Sequence, residues 1–204
     1  MSPPPAHRPV AAFDFDGTLS HGETLLPFLF QLAGRTATAT ALARAWAGPA
    51  ERGGMERRDR VKAGLLCRLL AGRPADVVEQ AGRDYSATLD RKLKPPILER
   101  LRRHQDDGHE VVLVSASLAV YLRPLADQLG LDAVLAVELE SVNGVLTGQM
   151  QGPNCRGLQK VARLEQWEGD RRSQPLWAYG NSRGDRELLA RADHPSWVGG
   201  RSRA

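Results

Sequence analysis

Val10-Ala11-Ala12-Phe13-Asp14-Phe15-Asp16-Gly17-Thr18-Leu19 is the stretch on which the reading of this chain turns. The short apolar, β-prone run over residues 10–15 predicts a buried strand, and Gly17 after the acids predicts a sharp turn. Asp14 and Asp16 then stand at the C-terminal end of a buried strand, the end at which open α/β sheets bind their ligands. Desolvated carboxylates this close repel, so they need a cation or a hydrogen-bonded partner. Mg²⁺ meets that need, because it takes oxygen ligands and keeps part of its water shell. An ordinary acidic turn is the plainer alternative, and two acids alone do not decide between them.

On either side of this stretch the chain has the makeup of a globular protein. It has 204 residues, 42% hydrophobic and 25% charged, enough for one domain or for a core with a small insert. Aromatic residues are only 5%, so small aliphatics must do most of the packing. No apolar run reaches the roughly 18–20 residues that span a bilayer. The N-terminal residues lack the apolar region of a signal peptide, and a cytoplasmic protein is expected. Lys and Arg exceed Asp and Glu by 28 to 24. The basic clusters at Arg52, Arg57, Arg58 and Arg60, at Arg100, Arg102 and Arg103, and at Arg171 and Arg172 are diluted by acids. They read as solvated helix faces or as an attraction for an anionic substrate or lipid surface. No aromatic-basic interleaving accompanies them, so no nucleic-acid partner is expected. Cys67 and Cys155 lie too far apart in sequence for a metal-type pair, and Cys67 is expected to pack in an apolar helix.

Residues 23–93 are rich in Ala, Leu and Arg at helical spacing, punctuated by Gly53-Gly54 and Gly72-Arg73-Pro74, and predict about four helices and no strand. Beyond them strands and helices alternate. Val111–Val114 reads as a strand covered on both faces, Leu118–Leu129 as a helix ended by Gly130, and Ala133–Leu139 as another strand. Asn143-Gly144 predicts a hairpin. Residues 157–167 read as a helix, Leu176–Tyr179 as a strand, Gly184–Ala190 as a helix and Trp197-Val198 as β-prone. Alternation of this kind indicates a parallel α/β sheet, which the helical stretch interrupts just after the first strand.

Three further stations fall at or just beyond the ends of later strands. Ser115 follows Val111–Val114, where a hydroxyl and backbone N–H groups suit a phosphate oxygen. Lys160 lies at a predicted helix start. Asn181 and Asp185, four apart, follow the last clear strand. Singly, each is also what a helix cap, a surface lysine or a capped loop would give. Taken in order, an acid pair, a serine, a lysine and an acidic pair resemble the four-motif layout of the haloacid dehalogenase-like (HAD) phosphohydrolases over nearly the whole chain. The chain is most similar to subfamily IB, the phosphoserine-phosphatase-like group. The resemblance implies an α/β fold, with a Rossmann-like parallel-sheet core from residues 1–19 and 93–204. A small helical-bundle cap over residues 20–92 is inserted after the first strand. It also implies Mg²⁺-dependent phosphoryl transfer through an aspartyl-phosphate. Asp14 is then nucleophile and metal ligand, and Asp16 is general acid/base and gives its carbonyl to the metal. Ser115 and Lys160 hold the phosphoryl oxygens, and Asn181 and Asp185 complete the metal site. Asn181 departs from the Asp more usual there and offers an oxygen without charge.

The substrate is less legible. The resemblance places Glu23 where phosphoserine phosphatases meet the substrate amino group, although a helix-N-terminal acid is the alternative. Arg60, Lys62 and Arg68 are candidates for a carboxylate or second phosphate. Ser115-Ala116-Ser117 lacks the Gly-Gly pair usual after the serine, so Ala116 and Ser117 reshape the substrate pocket. The apolar run Thr24–Phe30 suits either cap core or a lipid phosphate, as in relatives that hydrolyse phosphatidylglycerophosphate. The expected partner is thus a small phosphorylated substrate, with peripheral membrane contact if it is a lipid, for a monomer or homodimer. A binding protein that keeps the fold without catalysis is the remaining alternative.

Overall fold

The computed structural model describes residues 8–48, 56–169 and 175–199. The Pro-rich start, Arg52, Gly53-Gly54, Arg171 and Arg172 lie outside them. The core is one parallel sheet in the order β3-β2-β1-β6-β7. Its strands are β1 (Val10–Phe13), β2 (Glu110–Leu118), β3 (Ala133–Val137), β6 (Leu176–Gly180) and β7 (His194–Trp197). All four residues of β1 are buried, as a strand flanked on both edges and both faces requires. Phe13 pairs with Leu113 on one side and with Tyr179 on the other. Connections from β1 run outward to β2 and β3, then return across the sheet to β6 and β7, so the order reverses at β1. Its C-terminal end is therefore the switch point at which such sheets form a crevice. Right-handed crossovers put α5 (Pro95–Asp106) and α6 (Ala119–Leu129) on one face. They put α7 (Leu158–Glu168) and α8 (Arg186–Arg191) on the other, where these two helices pack together.

β2 is longer than the apolar run that foretold it. It carries on through Ser115-Ala116-Ser117 to Leu118, with a register shift against β3 between Val114 and Leu118. Hydroxyl-bearing residues at the strand end are thereby held in extended backbone rather than in a helix cap. The helix expected over Gly184–Ala190 begins as a 3₁₀ turn at Arg183–Asp185, capped by Ser182, before α8.

Among the described residues of the insert, four α-helices follow β1, namely α1 (Leu25–Ala33), α2 (Arg35–Trp46), α3 (Arg57–Leu70) and α4 (Ala75–Ser86), and a 3₁₀ turn over Leu89–Lys92. The chain leaves and re-enters the core side by side, through a bridge between Ser20 and Leu93. His21 N donates to Lys92 O at 2.7 Å and Lys94 N to Leu19 O at 2.8 Å. The insert also meets the core at α6 and at a hairpin. Gly82 of α4 lies so close to α6 that an added Cβ would meet Val120 O at 2.5 Å. The hairpin of β4 (Leu139–Val142) and β5 (Val145–Met150) turns through Asn143-Gly144, both at positive φ. It pairs with the loop between α3 and α4: Gly72 N donates to Leu146 O, Leu146 N to Arg73 O and Ala75 N to Gly144 O.

Few as they are, the aromatics hold key positions. Phe28, Tyr85 and Tyr121 cluster between the insert and α6, with ring centroids 5.1 to 5.5 Å apart. Among the described residues no helix is long and apolar enough to cross a membrane. Cys67 is exposed and does not pack as expected, because its position on α3 faces away from the stripe of Val61, Leu65, Leu66 and Leu69. Cys155 is buried and donates its thiol to Leu135 O at 3.3 Å.

Candidate active site

A turn with positive φ at Gly17 carries the chain off the end of β1. The turn leaves Asp14 on the strand axis and throws Asp16 to one side. A side chain at 17 would strike Asn181, whose Nδ2 lies 2.0 Å from where its Cβ would be. That close approach, together with φ +77°, explains glycine there. Thr18 donates to Asp14 Oδ2 at 2.9 Å.

Lys160, the third residue of α7, reaches across to the strand end and is 2% exposed. Its ammonium donates to Asp14 Oδ1 and to Asp185 Oδ1, each at 2.6 Å. The other Asp185 oxygen accepts from Asn181 N, Ser182 N and Ser182 Oγ. Burial pushes the Asp14 carboxyl up to about 6, against the pull of Lys160. Burial also opposes the Lys160 charge, yet the two carboxylates hold its pKa above the ordinary lysine value. For Asp185 burial is outweighed by Lys160 and the Ser182 donors, which keep it below the usual carboxylate range. Of the two carboxylates that share Lys160, Asp14 has two donors and Asp185 four, and Asp14 lines the cavity, which suits a nucleophile.

Ser115 is 1% exposed, and its Oγ accepts from Ser117 N at 3.1 Å, which leaves the hydroxyl hydrogen for an oxygen in the cavity. Asp16 is held separately. Its carboxylate accepts from Thr24 Oγ1 and Ser117 Oγ, both at 2.6 Å. Burial lifts its pKa above the ordinary value, and those hydroxyls pull the other way.

Asp14, Asp16, Ser115, Ser117, Lys160, Asn181 and Asp185 open into one cavity of about 410 Å³ between the sheet end and the insert. Its floor carries Asp14, Asp16, Ser115, Lys160, Asn181 and Asp185. Its roof carries the aliphatic side chains Leu25, Leu26, Leu42, Val61 and Leu65 from α1, α2 and α3. Glu23 lies at its mouth, ion-paired with Arg58. The Lys62 ammonium donates to Ala116 O and, at 2.8 Å, to Asn154 Oδ1, and Asn154 donates to Asp59 at 2.7 Å. Burial pushes Lys62 down to about 8. Arg68 turns back to Gly64 O instead, and Arg60 lies with it beside a different cavity, between α3 and β5. Arg156 lines the site without having been singled out in the sequence, and Arg58, named there only within a basic cluster, lines it too. The signal for Arg58 was present: residues 58, 61, 62 and 65 share one face of α3.

The donor set suits a hard cation. Among the described residues no three His, Cys, Asp or Glu side chains cluster to hold a metal. Asp16 turns its carboxylate aside and position 181 is Asn, so only Asp14 and Asp185 remain as acids. Asn181 Oδ1, however, is buried and has no hydrogen-bond donor among the described residues. An orphaned carbonyl oxygen beside two carboxylates is a favourable place for Mg²⁺.

Comparison with known proteins gives a consistent picture. The family model for haloacid dehalogenase-like hydrolases matches residues 11–190. Protein CicA of Caulobacter vibrioides is 32% identical over 200 residues, covering 94% of this chain and 86% of its own length. A phosphoserine phosphatase of Archaeoglobus fulgidus is 32% identical over 131 residues, 61% of this chain and 35% of that protein. Among solved structures, a protein of unknown function from Bordetella pertussis Tohama I superposes with a TM-score of 0.73 at 22% identity, over 93% of this chain and 89% of that one.

Proposed function

The chain belongs to the haloacid dehalogenase-like hydrolases, and from that premise we propose that it is a Mg²⁺-dependent phosphomonoesterase of the cytoplasm. Its substrate on this reading is a small phosphorylated metabolite such as phosphoserine, and residues 20–92 act as the cap that selects it. One observation carries the reading: Lys160 sits between Asp14 and Asp185 at 2.6 Å from each, on the floor of a cavity that Ser115 and Asn181 also reach.

The chemistry follows from those positions. An Asp14 oxygen attacks phosphorus, and the ester P–O bond breaks as Asp16 gives its proton to the leaving oxygen. Water, deprotonated by Asp16, then attacks the same phosphorus. The bond to Asp14 breaks, releasing phosphate and restoring the carboxylate. Lys160 and Ser115 hold the phosphoryl oxygens throughout. Asp14, the Asp16 carbonyl, Asn181 and Asp185 would hold Mg²⁺. When bound, the ion neutralises charge between an anionic nucleophile and an anionic phosphate.

Release of phosphate from p-nitrophenyl phosphate, with Mg²⁺ and after chelation, tests the reaction. Asp14→Asn is expected to abolish turnover, and measurable Mg²⁺-dependent activity in that variant would refute the assignment. A second reading, a peripheral lipid-phosphate phosphatase using the same residues, is favoured by the aliphatic roof of Leu25, Leu26, Leu42, Val61 and Leu65. A panel of phosphorylated metabolites beside phosphatidylglycerophosphate in detergent separates the two by which is turned over.

A further inference from the structure

We propose that Ser117 and Thr24 are positioning residues that aim the Asp16 carboxyl at the leaving oxygen, one tether from the core strand and one from the insert. The inference rests on the phosphatase reading above and concerns how its proton donor is held. Asp16 Oδ2 accepts from Ser117 Oγ, and Oδ1 from Thr24 Oγ1. At 2.6 Å both have the length of charge-assisted hydroxyl–carboxylate bonds. Ser117 and Thr24 are 2% and 0% exposed, so water does not compete for either bond.

Counting hydrogens fixes the arrangement. Each hydroxyl has one hydrogen, and each gives it to Asp16. The approach of Thr24 Oγ1 to Ser117 Oγ at 3.3 Å then carries none, and the Tyr121 hydroxyl at 3.2 Å is the donor to Thr24. Tyr85 donates to the Thr24 carbonyl at 3.0 Å, fixing the backbone as well. The Asp16 carboxyl is thus gripped on both oxygens and fixed about its Cβ–Cγ bond. Each oxygen keeps a further lone pair that can carry the transferable proton, and Asp16 lines the cavity.

A proton donor matters more as the leaving group becomes more basic. Phenoxide, with the basicity of a tyrosine side chain, needs it. p-Nitrophenoxide, a far weaker base, hardly does. The quantity to measure is kcat/KM for phenyl phosphate divided by that for p-nitrophenyl phosphate. kcat/KM reports the steps up to departure of the leaving group, and the ratio does not depend on how much of a variant is folded. Ser117→Ala and Thr24→Val are each expected to lower the ratio about tenfold, a fraction of what a general acid contributes in full. Thr24→Ser, which keeps the hydroxyl, is expected to stay within about twofold of the wild-type ratio. An unchanged ratio in both Ser117→Ala and Thr24→Val overturns this inference while leaving the phosphatase reading intact. A wild-type protein inactive towards both esters with Mg²⁺ overturns both.

Discussion

Replacing Lys160 by Met tests the electrostatics of the site without any substrate. The side chains have similar length, so the variant removes a charge while leaving little void. In the wild type one ammonium serves two carboxylates, and the three side chains are 2%, 9% and 1% exposed. Removing one partner of a buried ion pair costs about 3–5 kcal/mol, because the remaining charge is left without compensation. Here two carboxylates are left facing each other, and the least costly response is for one to hold a proton. Burial already raises Asp14 to about 6 while Lys160 pulls it down, so losing Lys160 raises it further. The sign follows by linkage. A carboxyl that holds its proton in the folded state, with an unfolded value near 3.9, loses stability as pH rises through its folded pKa. The destabilisation should therefore grow between pH 6 and pH 8.5, by roughly 1–3 kcal/mol at about 1.4 kcal/mol per pKa unit. Urea unfolding of both proteins at the two pH values, with chelator present so that no divalent ion replaces the lost charge, measures it. A difference under about 1 kcal/mol, or one equal at both pH values, would show that the buried triad does not carry the charge balance assigned to it.

Asn181→Asp adds a charge where a buried amide oxygen lacks a donor. The Mg²⁺ concentration for half-maximal activity should fall, and no gain in metal affinity would sink the charge argument. Gly82→Ala should lower the thermal midpoint. Its Cβ would meet the Val120 carbonyl at 2.5 Å, and overpacking of about 1–3 kcal/mol outweighs the gain in helix propensity of about 1; a higher midpoint would mean that α4 and α6 can slide apart freely. His104 is buried, bonded at 2.8 Å to both His109 and Tyr179, and burial holds its pKa below the ordinary value. Its neutral form favours the fold, so this contribution is present above about pH 6.5 and lost as pH falls. The stability advantage of wild type over His104→Gln should shrink from pH 7 to pH 5 in urea unfolding, and an advantage that grows would reverse the assignment.

The parts of the molecule legible in the sequence are those whose cause is local. β1 announces itself because a strand buried on both faces must be apolar throughout, and the two acids and Gly17 mark where it stops being so. The hairpin follows from Asn143-Gly144, since both residues take positive φ. Asp14, Ser115, Lys160, Asn181 and Asp185 were picked out together by their order, which resembles the haloacid dehalogenase-like layout. A parallel sheet delivers its strand ends, and the helix starts that follow them, to one edge, and there these residues meet in one cavity.

What escaped depends on pairs far apart in the chain. Thr24 and Ser117 reach Asp16 across sequence separations of 8 and 101. In sequence a threonine before a helix and a serine after a strand have sufficient local explanations of their own. The same holds for the insert. Its helices were readable from their spacing, but not its hydrogen bonds to the hairpin, nor that Lys62 would be drawn into the cavity wall while Arg68 folded back on its own helix. Helical periodicity tells which residues share a face but not what that face meets. The floor of the site is built from strand ends and is predictable. The roof is built from one helical layer resting on another, and its chemistry becomes visible only when both layers are in place.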